Sequence, residues 1–295
     1  MKKFKTKYSA ENQPYAWLFL LPALSVIAVF NIYPMIRSFI ISFQKGSLFN
    51  LKFTGLTNYI TVLKDPIYHT ALKNTSIYAF FVVPICLVIS LVIAWLIFEK
   101  IKQKGFFETI FFIPYVTSTI AIGIVFKFLL NSRYGMVNQI IGLFGIAPIN
   151  WLSDINMSMP SLIIFGIWSG LAFNIIILLA GFRNINPEYY KVADMFGANE
   201  WEKFKRITLP QLIPTITFLS TVNFISAFKV YSQVFALFGG SAGIANSAQT
   251  AVFYVYDKFH VAQRPGVAMA ATMILFALIM AFTLIQNWIV KKVEN

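Results

Sequence analysis

The sequence predicts an all-α, polytopic membrane protein, and three observations carry that expectation. Hydrophobic residues make up 58% of the 295 residues and charged residues only 12%, against roughly 25% charged in ordinary globular chains. Six stretches are each apolar enough to cross a bilayer core, which takes about 20 residues as helix: about 15–42, 70–98, 108–130, 160–181, 211–238 and 264–290. The basic residues fall mostly in the connections, unevenly between the two sides.

Taken in order, span 1 follows Lys2, Lys3, Lys5 and Lys7. It exceeds the roughly 7 to 15 residues of a signal-peptide core and no small-residue cleavage site follows, so it is expected to be an uncleaved helix. Lys100, Lys102 and Lys104 separate spans 2 and 3; Arg183, Lys191, Lys203, Lys205 and Arg206 separate spans 4 and 5; Lys291 and Lys292 follow span 6. The opposite connections carry Lys45, Lys52, Lys64, Arg133 and Lys258. Fourteen against five places both termini in the cytoplasm. The external connections hold turn residues (Gly46, Gly55, Asp65-Pro66; Gly142, Gly145, Pro148; Gly239, Gly240, Gly243) and are too short for separate domains. Residues 1–295 thus form one transmembrane domain.

Topology also accounts for the net charge of +13, since the basic residues form no continuous face for nucleic acid. A single cysteine, Cys86, lies inside a span, and His69 and His260 are far apart. No disulfide framework or metal site is expected.

The connection 182–210 reads as helix, elbow, helix. Asn186 can cap the first helix with Pro187 at its first position, and Tyr189, Val192 and Phe196 then share a face. Gly197 can take the left-handed conformation that ends a helix. Asn199 and Glu202 have capping-box spacing, opening a second helix with Trp201, Phe204 and Lys205 that is expected to stop before Pro210. Such a pattern suits a membrane-surface connector or a knob for a cytoplasmic partner.

Polar and aromatic residues cluster halfway along three spans: Tyr115, Thr117, Ser118 and Thr119 in span 3; Trp168, Ser169, Gly170, Phe173 and Asn174 in span 4; Asn223, Ser226 and Lys229 in span 5. Unpaired polar groups are costly in lipid, so these are expected to face protein or a water-filled cavity. Asn223, Ser226 and Gln233 recur at helical spacing, with Lys229 nearby. Hydroxyls, amides and rings suit a sugar, and the same groups also suit interhelical packing. Arg37 and Lys127 lie nearer span ends and can snorkel; Gly266, Ala270 and Ala271 read as close helix packing in span 6. None of the eleven acidic residues lies mid-span, which speaks against an ion-coupled carrier. The chain has no Gly-x-x-x-x-Gly-Lys-Ser/Thr loop, hence no recognisable ATP site.

The connection 182–210 resembles the cytoplasmic loop of ABC importer permeases, a Glu-Ala-Ala, three residues, Gly, then about nine residues to Ile-x-Leu-Pro. Ala193, Gly197, Ala198, Ile207, Leu209 and Pro210 match it; Lys191, Val192 and Phe196 stand where Glu, Ala and Asp are usual. From Trp17 to Gln286, "WLFLLPALSVIAVFNIYPMIRSFIISF", "FTGLTNYITVLKDPIYHTALKNTSIY", "GFFETIFFIPYV", "IWSGLAFNIIILLAGFRNINPEYY" and "FKVYSQVFALFGG" are similar, in order and spacing, to sugar permeases of the maltose-transporter type. The resemblance implies a multi-pass permease of the bacterial cytoplasmic membrane, not an enzyme. It implies as partners a second homologous permease, two copies of a cytoplasmic ATPase that binds ATP and Mg, and an external solute-binding protein. It puts Glu188, Tyr189, Lys191, Ala193, Gly197, Ala198 and Trp201 at the ATPase contact. It puts Tyr115, Thr119, Trp168, Ser169, Gly170, Phe173, Ser226 and Lys229 at or next to the sugar path. A non-sugar solute such as a glycerol phosphodiester stays open, as does, from the residues alone, a secondary carrier.

Overall fold

The computed structural model describes residues 13–100 and 104–294. Lys2, Lys3, Lys5, Lys7 and Lys102, on which part of the charge asymmetry rests, lie outside the described residues. Helix α1 (Gln13–Ile27) runs through a π turn at Ala28–Ile32 into α2 (Tyr33–Ser42). A hairpin follows, β1 (Gln44–Ser47) pairing antiparallel with β2 (Asn50–Phe53). Next come α3 (Thr57–Lys64), α4 (Pro66–Lys100), α5 (Lys104–Val116), α6 (Thr119–Leu129), α7 (Met136–Gly142) and α8 (Ile155–Arg183). The long connection holds α9 (Pro187–Met195) and α10 (Glu200–Lys203), and a π turn at Phe204–Thr208 leads into α11 (Leu209–Phe228). Helices α12 (Ser232–Phe238), α13 (Ala251–Tyr256) and α14 (Pro265–Glu294) complete the chain. Five helices are long and apolar enough to cross a membrane, and α5 with α6 makes a sixth if that pair, bent by 97°, is one span.

Two of the six expected spans are therefore interrupted. In span 3 the break falls at Thr117–Ser118: Ser118 leaves helical geometry (ψ 127°), and the Thr117 hydroxyl donates to the Ile113 carbonyl at 2.9 Å. In span 5 it falls at Lys229–Tyr231, so Gln233 lies on α12 and does not continue the face of Asn223 and Ser226 on α11. An unpaired carbonyl inside protein is costly, and here the buried Thr250 hydroxyl donates to Val230 O at 2.9 Å. The far halves of both broken spans pack on each other, where Gly123 abuts Ala236 closely enough to leave no room for a Cβ.

The core is built on α4 against α8. Gly166 gives way to the Tyr78 side chain, and a Cβ on Gly170 would sit 3.0 Å from Cys86 Sγ. Toward the α9 end, Ile97, Ile175, Leu178, Phe182, Leu212 and Leu219 are all buried in one cluster, with Phe98 stacked on Phe182 at 5.2 Å.

Helix α14 closes the bundle. Ala270 and Ala271 are fully buried beside Val62, Tyr68 and Tyr254, and Gly266 lies so close to the Gln44 carbonyl and the Asn58 amide that no Cβ fits. Neither neighbour yields easily: Gln44 is held in register opposite Phe53, and Asn58 Nδ2 donates to Ser42 O (2.9 Å) and Gln44 O (2.8 Å). Gly266→Ala is expected to lower stability by about 1–3 kcal/mol through overpacking, read as a lower melting temperature of the detergent-purified chain. An unchanged melt would contradict this packing.

At the end opposite α9, Asp65 ties the α3–α4 corner to the turn after α13. Its Oδ2 lies 2.9 Å from Lys258 Nζ and accepts from the Tyr254 hydroxyl at 2.8 Å, while Oδ1 accepts from Ile67 N at 2.9 Å. Burial pushes this carboxyl up, but the bonds from Lys258, Tyr254 and Ile67 together outweigh it and hold it below the ordinary carboxylate range. A lowered folded value means the contribution is complete above the unfolded value of about 3.9 and disappears as pH falls through the folded one. Melting temperature is thus expected to drop on acidification below about pH 4, and Asp65→Asn to lose part of that acid sensitivity. Identical acid profiles for the two would remove Asp65 from the explanation.

Candidate functional site

Local chemistry shapes the α9–α10 connection. Asn186 Oδ1 accepts from Glu188 N at 3.0 Å with Pro187 at the first helical position. Gly197 has φ +70°; its N–H bonds Asp194 O and that of Ala198 bonds Ala193 O, both at 3.0 Å. These are the paired bonds with which a left-handed glycine satisfies the last carbonyls of a helix. Asn199 and Glu202 form the reciprocal capping box at 2.9 and 3.0 Å.

The second helix does not stop before Pro210. It continues through the π turn, where Leu209 N bonds Phe204 O, into α11. Such a widened turn shifts the bonding register just where proline lacks a donor. The result is one helix over Glu200–Phe228, roughly 40 Å long at about 1.5 Å per residue.

Tyr189, Val192, Phe196 and Trp201 are exposed, Phe196 to 87%, with Met195 beside them. Bare apolar side chains gathered on a polar loop suit contact with a protein or with the membrane surface. Trp201 also stacks on Phe204 (5.6 Å), which leans on Trp95 (5.2 Å). Lys203 fastens the elbow, reaching Asp194 at 2.8 Å and Glu200 at 2.7 Å. Lys191 pairs with Glu188 at 3.5 Å in the open, a contact of little energetic weight. Ala193 and Ala198 are half-buried.

A cavity of about 250 Å³ opens where both broken spans are interrupted. It gathers Tyr115, Thr119, Ser169, Gly170, Asn223 and Ser226, with Thr117 and with Gln233 arriving from α12. Other residues singled out in the sequence stand off its lining. Trp168, 38% exposed, packs on Phe126 at 5.2 Å; Phe173 stacks behind Tyr115 at 5.7 Å. Asn174 is fully buried, bonded to Asn223 and Cys86. Lys229 is exposed at the α11–α12 break, with no ion pair among the described residues. Tyr78, Cys86 and Phe165 also line the cavity; lying in apolar runs, they offer no signal in the sequence.

Comparison with known proteins places this arrangement. Residues 75–295 match the model of the binding-protein-dependent transport system inner membrane component. The chain belongs to that family: it is a multi-pass permease of the cytoplasmic membrane, of the ABC importer type. It is 34% identical over 244 residues to the lactose transport system permease LacF of Rhizobium radiobacter, covering 82% of each chain. It is 32% identical over 281 residues to the arabinooligosaccharides permease AraP of Bacillus subtilis, covering 95% of this chain and 88% of that one. In fold it is similar to a chain of a bacterial ABC transporter that imports the acidic polysaccharide alginate, with a TM-score of 0.84, 22% identity, and 97% and 98% of the two chains covered.

Proposed function

We propose that this chain is one of two homologous permeases that carry a sugar or oligosaccharide inward, each engaging a cytoplasmic ATPase that binds ATP and Mg. An external binding protein delivers the solute. The chain crosses the membrane six times with both termini inside, and α9, Gly197 and α10 dock on the ATPase. The observation that carries the reading is the cavity at the two helix breaks, where threonine and serine hydroxyls, two side-chain amides and the Tyr115 ring converge. Interrupted helices at membrane depth are tolerated where they line a cavity, and hydroxyl and amide groups beside a ring fit a sugar. The unbroken helix from Glu200 to Phe228 joins the loop directly to Asn223 and Ser226. ATPase closure therefore moves the cavity wall as a rigid lever. The names of the relatives, lactose and arabinooligosaccharides, support a glycan over other solutes.

One observation favours a second solute class. Lys229, exposed and without an ion pair among the described residues, would suit a phosphodiester. Uptake of labelled neutral oligosaccharides and of a glycerol phosphodiester by the reconstituted importer separates the two. Neutral glycan uptake that survives Lys229→Ala supports the sugar reading; phosphodiester uptake that is abolished by it replaces that reading.

A further inference from the structure

Asn174 stands behind the cavity wall and is bonded to two residues that line it, Cys86 and Asn223. Asn174 is fully buried on α8, and Cys86 on α4 is 2% exposed. Cys86 Sγ lies 3.5 Å from the Ile167 carbonyl, Asn174 Nδ2 is 3.2 Å from Cys86 Sγ, and Asn223 Nδ2 is 2.8 Å from Asn174 Oδ1. The direction of this chain follows from its first member. A carbonyl only accepts, and at 3.5 Å it lies nearer than the Ser90 hydroxyl at 4.0 Å, so the thiol donates to Ile167 and turns its lone pairs toward Asn174 and Ser90. The Asn174 amide must then give its NH₂ to sulfur, which leaves its oxygen for Asn223. Asn223 must in turn spend an N–H on Asn174. Its own oxygen makes no side-chain hydrogen bond among the described residues, and Asn223 lines the cavity.

We infer that Asn174 is a positioning residue that locks the Asn223 amide with its oxygen offered to the cavity, so that the transport path selects a solute hydroxyl donating at that point. The inference rests on the sugar-importer reading and adds what that reading leaves open, the sense of one hydrogen bond and the residues that fix it. Freed from Asn174, the Asn223 amide can flip and present NH₂ instead, which loses the preference for a donor. Buried networks of this kind hold one arrangement because every alternative leaves a group unpaired.

The test is a double-mutant cycle on the complete reconstituted importer, following uptake of the transported oligosaccharide and of its deoxy and O-methyl analogues. Asn223→Ala is expected to raise the transport KM about tenfold, the weight of one hydrogen bond of about 1.4 kcal/mol. Asn174→Ala is expected to raise it several-fold and to narrow discrimination against the analogue lacking the donor hydroxyl. In the Asn223→Ala background, Asn174→Ala should add nothing to KM, because its effect passes through Asn223. Cys86→Ala, which breaks the far end while leaving both asparagines, should weaken discrimination in the same direction if Asn174→Ala does not assemble. Additive effects of the two asparagine changes, or unaltered analogue discrimination in both Asn174→Ala and Cys86→Ala, overturn the positioning role alone. An Asn223→Ala importer with wild-type KM overturns the cavity reading itself.

Discussion

Gly197→Asp is expected to cut ATP-driven uptake at least tenfold while leaving the amount of chain in the membrane unchanged. The position holds φ +70°, yet nothing lies within 4 Å of where a Cβ would point. Aspartate tolerates left-handed backbone better than most residues, and the strain is about 1–2 kcal/mol, too little to unfold a bundle of this size. What the change does alter is the outer surface of the elbow, where Met195, Phe196 and Trp201 are bare. A carboxylate there has to be desolvated on docking. The defect should therefore appear as ATP hydrolysis no longer stimulated by loaded binding protein, or as loss of the ATPase from the membrane. Normal uptake with normal stimulation would remove the loop from the coupling contact.

Ser226→Trp is expected to abolish transport from the other end of the same lever. Ser226 lines the cavity at the last turn of α11 and is exposed, so an indole enters open space without displacing a packed neighbour. A cavity of about 250 Å³ is already below the roughly 300–1,000 Å³ of typical ligand sites, so an indole inside it leaves too little room for a solute. The variant should still assemble with the ATPase, since the α9–α10 surface is untouched. Uptake at wild-type rate would show that the solute passes elsewhere.

Much of this arrangement is legible in sequence because its causes are local. The Asn186 cap, the left-handed Gly197 and the Asn199–Glu202 box each depend on residues within a few positions, and each takes the geometry its chemistry calls for. Close packing at Gly266, Ala270 and Ala271 is likewise written in their size. The breaks at Thr117–Ser118 and Lys229–Tyr231 are not legible, since neither contains glycine or proline. A distant partner stabilises the second, the Thr250 hydroxyl on Val230. Pro210, by contrast, signals a stop that the π turn absorbs. The β1–β2 hairpin hides behind polar turn residues. Asn174 illustrates the limit for the site: its polarity announces a role, but only the fold shows that the side chain faces Cys86 and Asn223 instead of the cavity.

The central claim is that ATP hydrolysed by a partner drives a glycan through this chain. It is tested most directly by labelled oligosaccharide uptake into proteoliposomes that hold both permeases, the ATPase and internal ATP, with binding protein outside. The expected result is accumulation above the external concentration that requires every component and stops when ATP is omitted. Accumulation driven by an imposed ion gradient, with the ATPase left out, would contradict it.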